Sequence, residues 1–157
     1  METDAASQAE PHRFEHEAMA TTFALHVHHP DKRYARQAAT EAFNLCDRLE
    51  EELSRFIEYS PVSRLNRASA REELPVSADA YLCLRQALRI AEVTDGAFDV
   101  GFRSRPKGSS ASYQPPAILS RTSVSASPAR PHADLDLGGI GKGYAIDKMA
   151  ELLVEWG

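Results

Sequence analysis

Asp136-Leu137-Gly138-Gly139-Ile140-Gly141-Lys142-Gly143-Tyr144-Ala145-Ile146-Asp147 is the stretch on which the reading of this chain turns. The pattern predicts a strand over Asp134–Leu137, a glycine-rich turn, and a helix from about Gly143 to Glu155. Glycines remove the Cβ atoms that would keep a ligand from the backbone. A helix N-terminus gathers unpaired N–H groups and the positive end of the helix dipole. Lys142 adds a formal positive charge, so the whole suits a pyrophosphate. Spacing excludes two familiar phosphate loops. A Walker A loop needs Gly five residues before the Gly-Lys pair and Ser or Thr after it, where this chain has Asp136 and Gly143. A Rossmann turn starting at Gly139 needs its third glycine at the position of Tyr144. Taken alone, the glycines also fit, less well, a tight strand-to-helix turn with no ligand.

Upstream, Arg13–Glu17 and Thr22–His29 alternate as strands, broken by Pro30-Asp31. From Tyr34 to Ile57, Ala38, Ala42, Leu45, Cys46, Leu49, Leu53 and Phe56 recur on one face of a helix. Phe56 on that face reads as core. Ser77 reads as the N-cap of a second helix ending near Gly96. Residues 103–132 are rich in Ser, Pro and Arg. Ala117–Leu119 and Val124–Ala126 are expected to form a small hairpin there, with 103–116 mobile. Residues 1–12 read as a disordered leader and 13–157 as one domain.

The chain has 157 residues, 43% apolar and 26% charged, with a formal net charge of −5. That is enough for one soluble domain with a core. The charge argues against nucleic acid as a partner, because such affinity comes from many cationic contacts to phosphates. No stretch reads as a secretory signal or membrane span, so the expected location is cytoplasmic. Cys46 and Cys83 belong to no Cys-x-x-Cys and read as small apolar residues. His26 and His28 share one face of a strand; a solvated face is the expectation, a metal site the alternative. Glu50-Glu51-Glu52 reads as the wet face of its helix.

The stretch from Asp136 to Asp147 closely resembles the signature of the ApbE family of FAD:protein FMN transferases, where Ala often stands in place of Gly141. Three shorter segments match in the family's order. Met19-Ala20-Thr21 resembles its Met-Gly-Thr. Leu53-Ser54-Arg55-Phe56 with Ser60, Ser63 and Leu65-Asn66 resembles its Leu-Ser-x-Tyr…Ser-x-x-Ser-x-Leu-Asn. Thr94-Asp95-Gly96-Ala97-Phe98-Asp99 resembles its Gly-Ala-Phe-Asp turn.

The resemblance implies an α+β, T-fold-like half domain and a set of roles. Met19, Phe56, Ala97, Phe98, Asp99, Asp136 and Lys142 would contact FAD. The backbone carbonyl of Gly139 would serve Mg²⁺, which prefers oxygen ligands. Phe56 replaces the usual Tyr, keeping an aromatic face and losing a hydroxyl. The implied reaction moves FMN from FAD to a Thr hydroxyl of an acceptor flavoprotein, with release of AMP. The family's Gly-Gly-Asp strand, its His-containing segment and its Asp/Thr metal motif follow the glycine helix and are not found in residues 1–157. The resemblance therefore reads as an amino-terminal portion with no assignable catalytic residue, inactive alone. A partner or a second copy would supply the missing half. A flavin-binding fragment without catalysis and an interaction module are the alternative readings.

Overall fold

The computed structural model describes residues 10–105 and 112–156. Alternation of covered and exposed side chains pairs β1 (His12–Ala18) antiparallel with β2 (Thr21–Val27), with Ala18 opposite Thr21. Asp31 Oδ1 accepts from the amides of Arg33 (2.8 Å) and Tyr34 (3.3 Å) and so caps α1 (Lys32–Leu53). There follow α2 (Pro61–Arg67), β3 (Leu74–Pro75), α3 (Ala78–Val93), a 3₁₀ turn at Phe102–Ser104, β4 (Ala117–Leu119), β5 (Ser125–Pro128) and α4 (Gly141–Glu155). The α+β class is as expected, with antiparallel pairing throughout: β1 with β2, and a second sheet in the order β3-β5-β4.

The chain divides into two compact units, Met1–Arg48 with Ala145–Gly157, and Leu49–Tyr144. In the first, Ala18, Phe23, Ala35, Ala38, Ala42, Phe43, Cys46, Ala145 and Met149 are buried. His16 stacks on Phe43 and meets Asp47 Oδ1 at 2.6 Å. His26 and His28 lie exposed, and no cluster of three metal-ligating side chains occurs among the described residues.

The second unit buries Leu49, Leu53, Val62, Leu65, Leu84, Val100, Leu135 and Leu137. Ser77 caps α3 as expected, accepting from Ala80 N at 3.1 Å. Its hydroxyl donates to Glu52 at 2.6 Å, so that member of the acidic run has a structural partner. Ser60 caps α2, whose seven residues were not anticipated as a helix.

Two expectations need correction. α1 ends at Leu53 rather than Ile57, because Ser54 Oγ takes the amide of Phe56 and turns the chain out of the helix. The segment Asp134–Leu137 is no strand. Leu135 exchanges two bonds with the Asn66 side chain (3.0 and 2.6 Å), Asp136 N donates to Val100 O at 2.8 Å, and Asp134 has φ +40°. Its backbone groups are satisfied by a side chain and one loop instead of a ladder. Of the stretch 103–116, expected to be mobile, residues 106–111 lie outside the described residues, and Ser104 hydrogen-bonds to Gly101 O and Ala133 O. The β4–β5 hairpin forms as expected, with Leu119 opposite Ala126.

Candidate functional site

Leu137 carries the turn into α4: its carbonyl accepts from Ile140 N (3.0 Å) and Gly141 N (2.7 Å). Asp136 Oδ1 accepts from Gly138 N at 2.9 Å, fixing the start of the glycine run. The turn meets the Gly-Ala-Phe-Asp segment directly. A Cβ on Gly139 would lie 3.2 Å from Phe98 Cε2, tighter than ordinary contact, so glycine lets the aromatic ring close on the backbone. At Gly143 a Cβ would meet nothing within 4 Å. The first turn of α4 is thus open on that side, with Lys142 exposed beside it. Tyr144 anchors the same turn through its hydroxyl, which donates to Asp79 Oδ1 at 2.7 Å.

Asp99 is the buried acid of the site, its side chain 3% exposed. Gly101 N donates to Oδ1 at 2.8 Å, and Arg105 Nη1 lies 3.9 Å from Oδ2. That second oxygen has no hydrogen-bond partner among the described residues. A buried carboxylate oxygen left unmatched is costly, and a ligand donor would satisfy it. Tyr113 is pushed up to about 12, first by burial and then by the charge of Asp99.

Phe56 resolves its two readings. Released from α1, it is 84% exposed, too open for a core residue and free to offer a ring face. The guanidinium of Arg55 sits 5.0 Å from the Phe56 ring centroid, with Nη2 3.2 Å from Asp134 Oδ1 and Nη1 3.8 Å from Asp136 Oδ2. Sequence reasoning gave Arg55 no role. Its position at the helix exit, between an aromatic and an acid-rich segment, was the available signal.

Within the second unit, contacts link Arg55 to Phe56 and Asp136, and Phe98 to Gly139, while Asp136 N bonds to the residue that follows Asp99. Ala97 and Lys142 flank these residues in the chain. Met19 lies in the β1–β2 turn of the first unit. The glycine turn, the aromatic faces and the unmatched Asp99 oxygen fit a flavin dinucleotide. Among the described residues no group of three His, Cys, Asp or Glu side chains is placed to hold a metal.

Comparison with known proteins bears on the same segments. Several solved structures share the fold. The ApbE protein of Thermotoga maritima superposes with a TM-score of 0.76 at 21% identity, over 94% of this chain and 53% of its own. The flavin transferase ApbE of Vibrio cholerae gives 0.79 at 21% identity, over 94% and 54%. The flavinyl transferase ApbE of Pseudomonas stutzeri, in its apo form, gives 0.75 at 21%, over 95% and 57%. The chain thus spans about half the length of the solved structures it matches. A search of curated proteins finds no match. The model of the ApbE family matches residues 19–157, which includes every segment of the site just described. The chain belongs to the ApbE family.

Proposed function

We propose that this chain binds FAD and belongs to an FAD:protein FMN transferase. The observation that carries the reading is the meeting of the Phe98 ring with Gly139, which joins two separate motif segments into one cradle beside the open start of α4. Amides of the first helical turn and Lys142 would hold the pyrophosphate. Phe56 and Phe98 would face the rings, and Asp99 Oδ2 would accept from a ligand hydroxyl or N–H. Ala97 completes the proposed contacts.

In the proposed reaction, the hydroxyl oxygen of a Thr on an acceptor flavoprotein forms a bond to the FMN phosphorus. The pyrophosphate bond breaks, and AMP leaves with the bridging oxygen. The hydroxyl proton passes to a base that is not assigned to any described residue. Magnesium, where present, would draw most of its oxygen ligands from phosphate and water rather than from these side chains.

Titration of flavin fluorescence tests the binding reading. Lys142→Ala should weaken FAD binding by roughly tenfold or more, since a charge-assisted contact contributes about 1.5–3 kcal/mol. Equal affinities for the two proteins would remove Lys142 and the glycine turn from the site.

A further inference from the structure

Using none of the proposed flavin contacts, the second unit carries a cleft of about 510 Å³ lined by Asn66, Arg103, Ser104, Arg130, His132 and Asp134. Its charge runs against that of the chain. The formal total is −5, yet the cleft sets two arginines and a histidine against one aspartate. That aspartate is already shared: Arg103 Nε reaches Asp134 Oδ2 at 3.2 Å, and Arg55 Nη2 reaches Oδ1 at 3.2 Å. Arg130 has no carboxylate within ion-pair distance among the described residues. Its Nη2 donates to Ser104 Oγ at 3.0 Å, and its buried Nε has no hydrogen-bond partner among them.

The walls are held firmly. Ser104 is bonded to Gly101 O and Ala133 O, and Asn66 is locked by its two bonds to Leu135. His132 and Asp134 adopt φ of +55° and +40°, a conformation that non-glycine residues keep only where their surroundings impose it. A guanidinium fixed on one edge, with uncompensated charge, is prepared for a tetrahedral oxyanion, which it can grip through paired N–H groups. The volume admits a phosphate with an organic substituent.

We propose that this cleft is a second anion site, which takes a phosphate monoester on Arg130, with Arg103 and His132 as supporting donors. The site is separate from the proposed pyrophosphate turn, so it does not depend on Lys142. Calorimetric titration of the full 157-residue chain at low salt, with inorganic phosphate, AMP and adenosine as probes, tests it. Phosphate or AMP should bind, and adenosine, lacking the anion, should not. Arg130→Gln should weaken binding by about tenfold or more, the loss expected for one charge-assisted contact. His132→Asn, which keeps a residue tolerant of positive φ, should weaken it by less. AMP binding more tightly than phosphate identifies a nucleotide ligand, while equal affinities identify the phosphate group alone; either result supports the site. Lys142→Ala should leave this binding unchanged while weakening FAD, which separates failure of one reading from failure of the other. Should Arg130→Gln not fold, Arg103→Gln combined with His132→Asn serves the same purpose. Absence of binding at millimolar phosphate and AMP, unchanged binding in the cleft variants, or loss of binding in Lys142→Ala would each overturn the proposal.

Discussion

Ala20 has φ +56° and Met19 φ +51° in the two-residue turn between β1 and β2. Both central residues of this hairpin turn occupy the left-handed region, where Asn and Gly are normally chosen. The ApbE pattern places Gly at the position of Ala20. A left-handed residue with a Cβ costs about 1–2 kcal/mol, and glycine's extra freedom in the unfolded chain offsets roughly 0.4–1 kcal/mol of the relief. Ala20→Gly is therefore expected to stabilise the protein by roughly 0.5–1 kcal/mol, read as an increased denaturant midpoint at unchanged slope. A lowered midpoint would mean that the turn does not hold this conformation. Individual residues were unevenly legible. Gly139 could be named from its motif, but the Phe98 ring against it could not, because the two are distant in sequence. Phe56 fell on the apolar face of a helix drawn too long, and only the exit at Ser54 shows that it faces outward.

Elements with long, regular patterns were the most legible. α1 buries Ala38, Ala42, Cys46, Leu49 and Leu53, while Leu45 is only half-buried. Leu49, at 1% exposure, is in the core of the second unit. Leu49→Ala should cost about 2–5 kcal/mol, combining lost transfer energy with the cavity left behind. Chemical denaturation measures this, and a change of about 0.5 kcal/mol or less, typical of a surface site, would place Leu49 outside the core. The short elements were hidden for a physical reason. α2 has seven residues and β3 two, too few for a period to show. The apolar run Leu135 and Leu137 does alternate, but alternation specifies only that side chains point inward. The partners of the backbone, Asn66 and Val100, decide that no ladder forms.

At the scale of the whole molecule, two weak acids, the buried Cys83 and the half-buried Tyr113, link stability to alkaline pH. Burial, and secondarily the Asp79 carboxylate, push the Cys83 thiol from 9.0 up to about 12, and Tyr113 is likewise pushed up from 10.0 to about 12. Each folded-state pKa lies above its unfolded value, so the fold retains protons that the unfolded chain has released. Their contribution is fully present below about pH 9 and is lost as pH rises from 9 towards 12. Stability should fall across that window, and Cys83→Ala should make the fall shallower. Denaturant midpoints measured at intervals through the window check this, and an identical slope in the variant would remove Cys83 from the linkage. By itself the sequence determined the α+β class, the amphipathic run of α1, the cap at Ser77, the hairpin at 117–128 and the four ordered motifs of the family. All of these are written in local spacing or contiguous residues. Tertiary structure alone decided that Phe98 closes on Gly139, that Arg55 bridges Asp134 and Asp136, and that Arg103, Arg130 and His132 share one cleft. Such contacts join residues tens of positions apart, and their geometry exists only once burial of the intervening core has fixed the path of the chain.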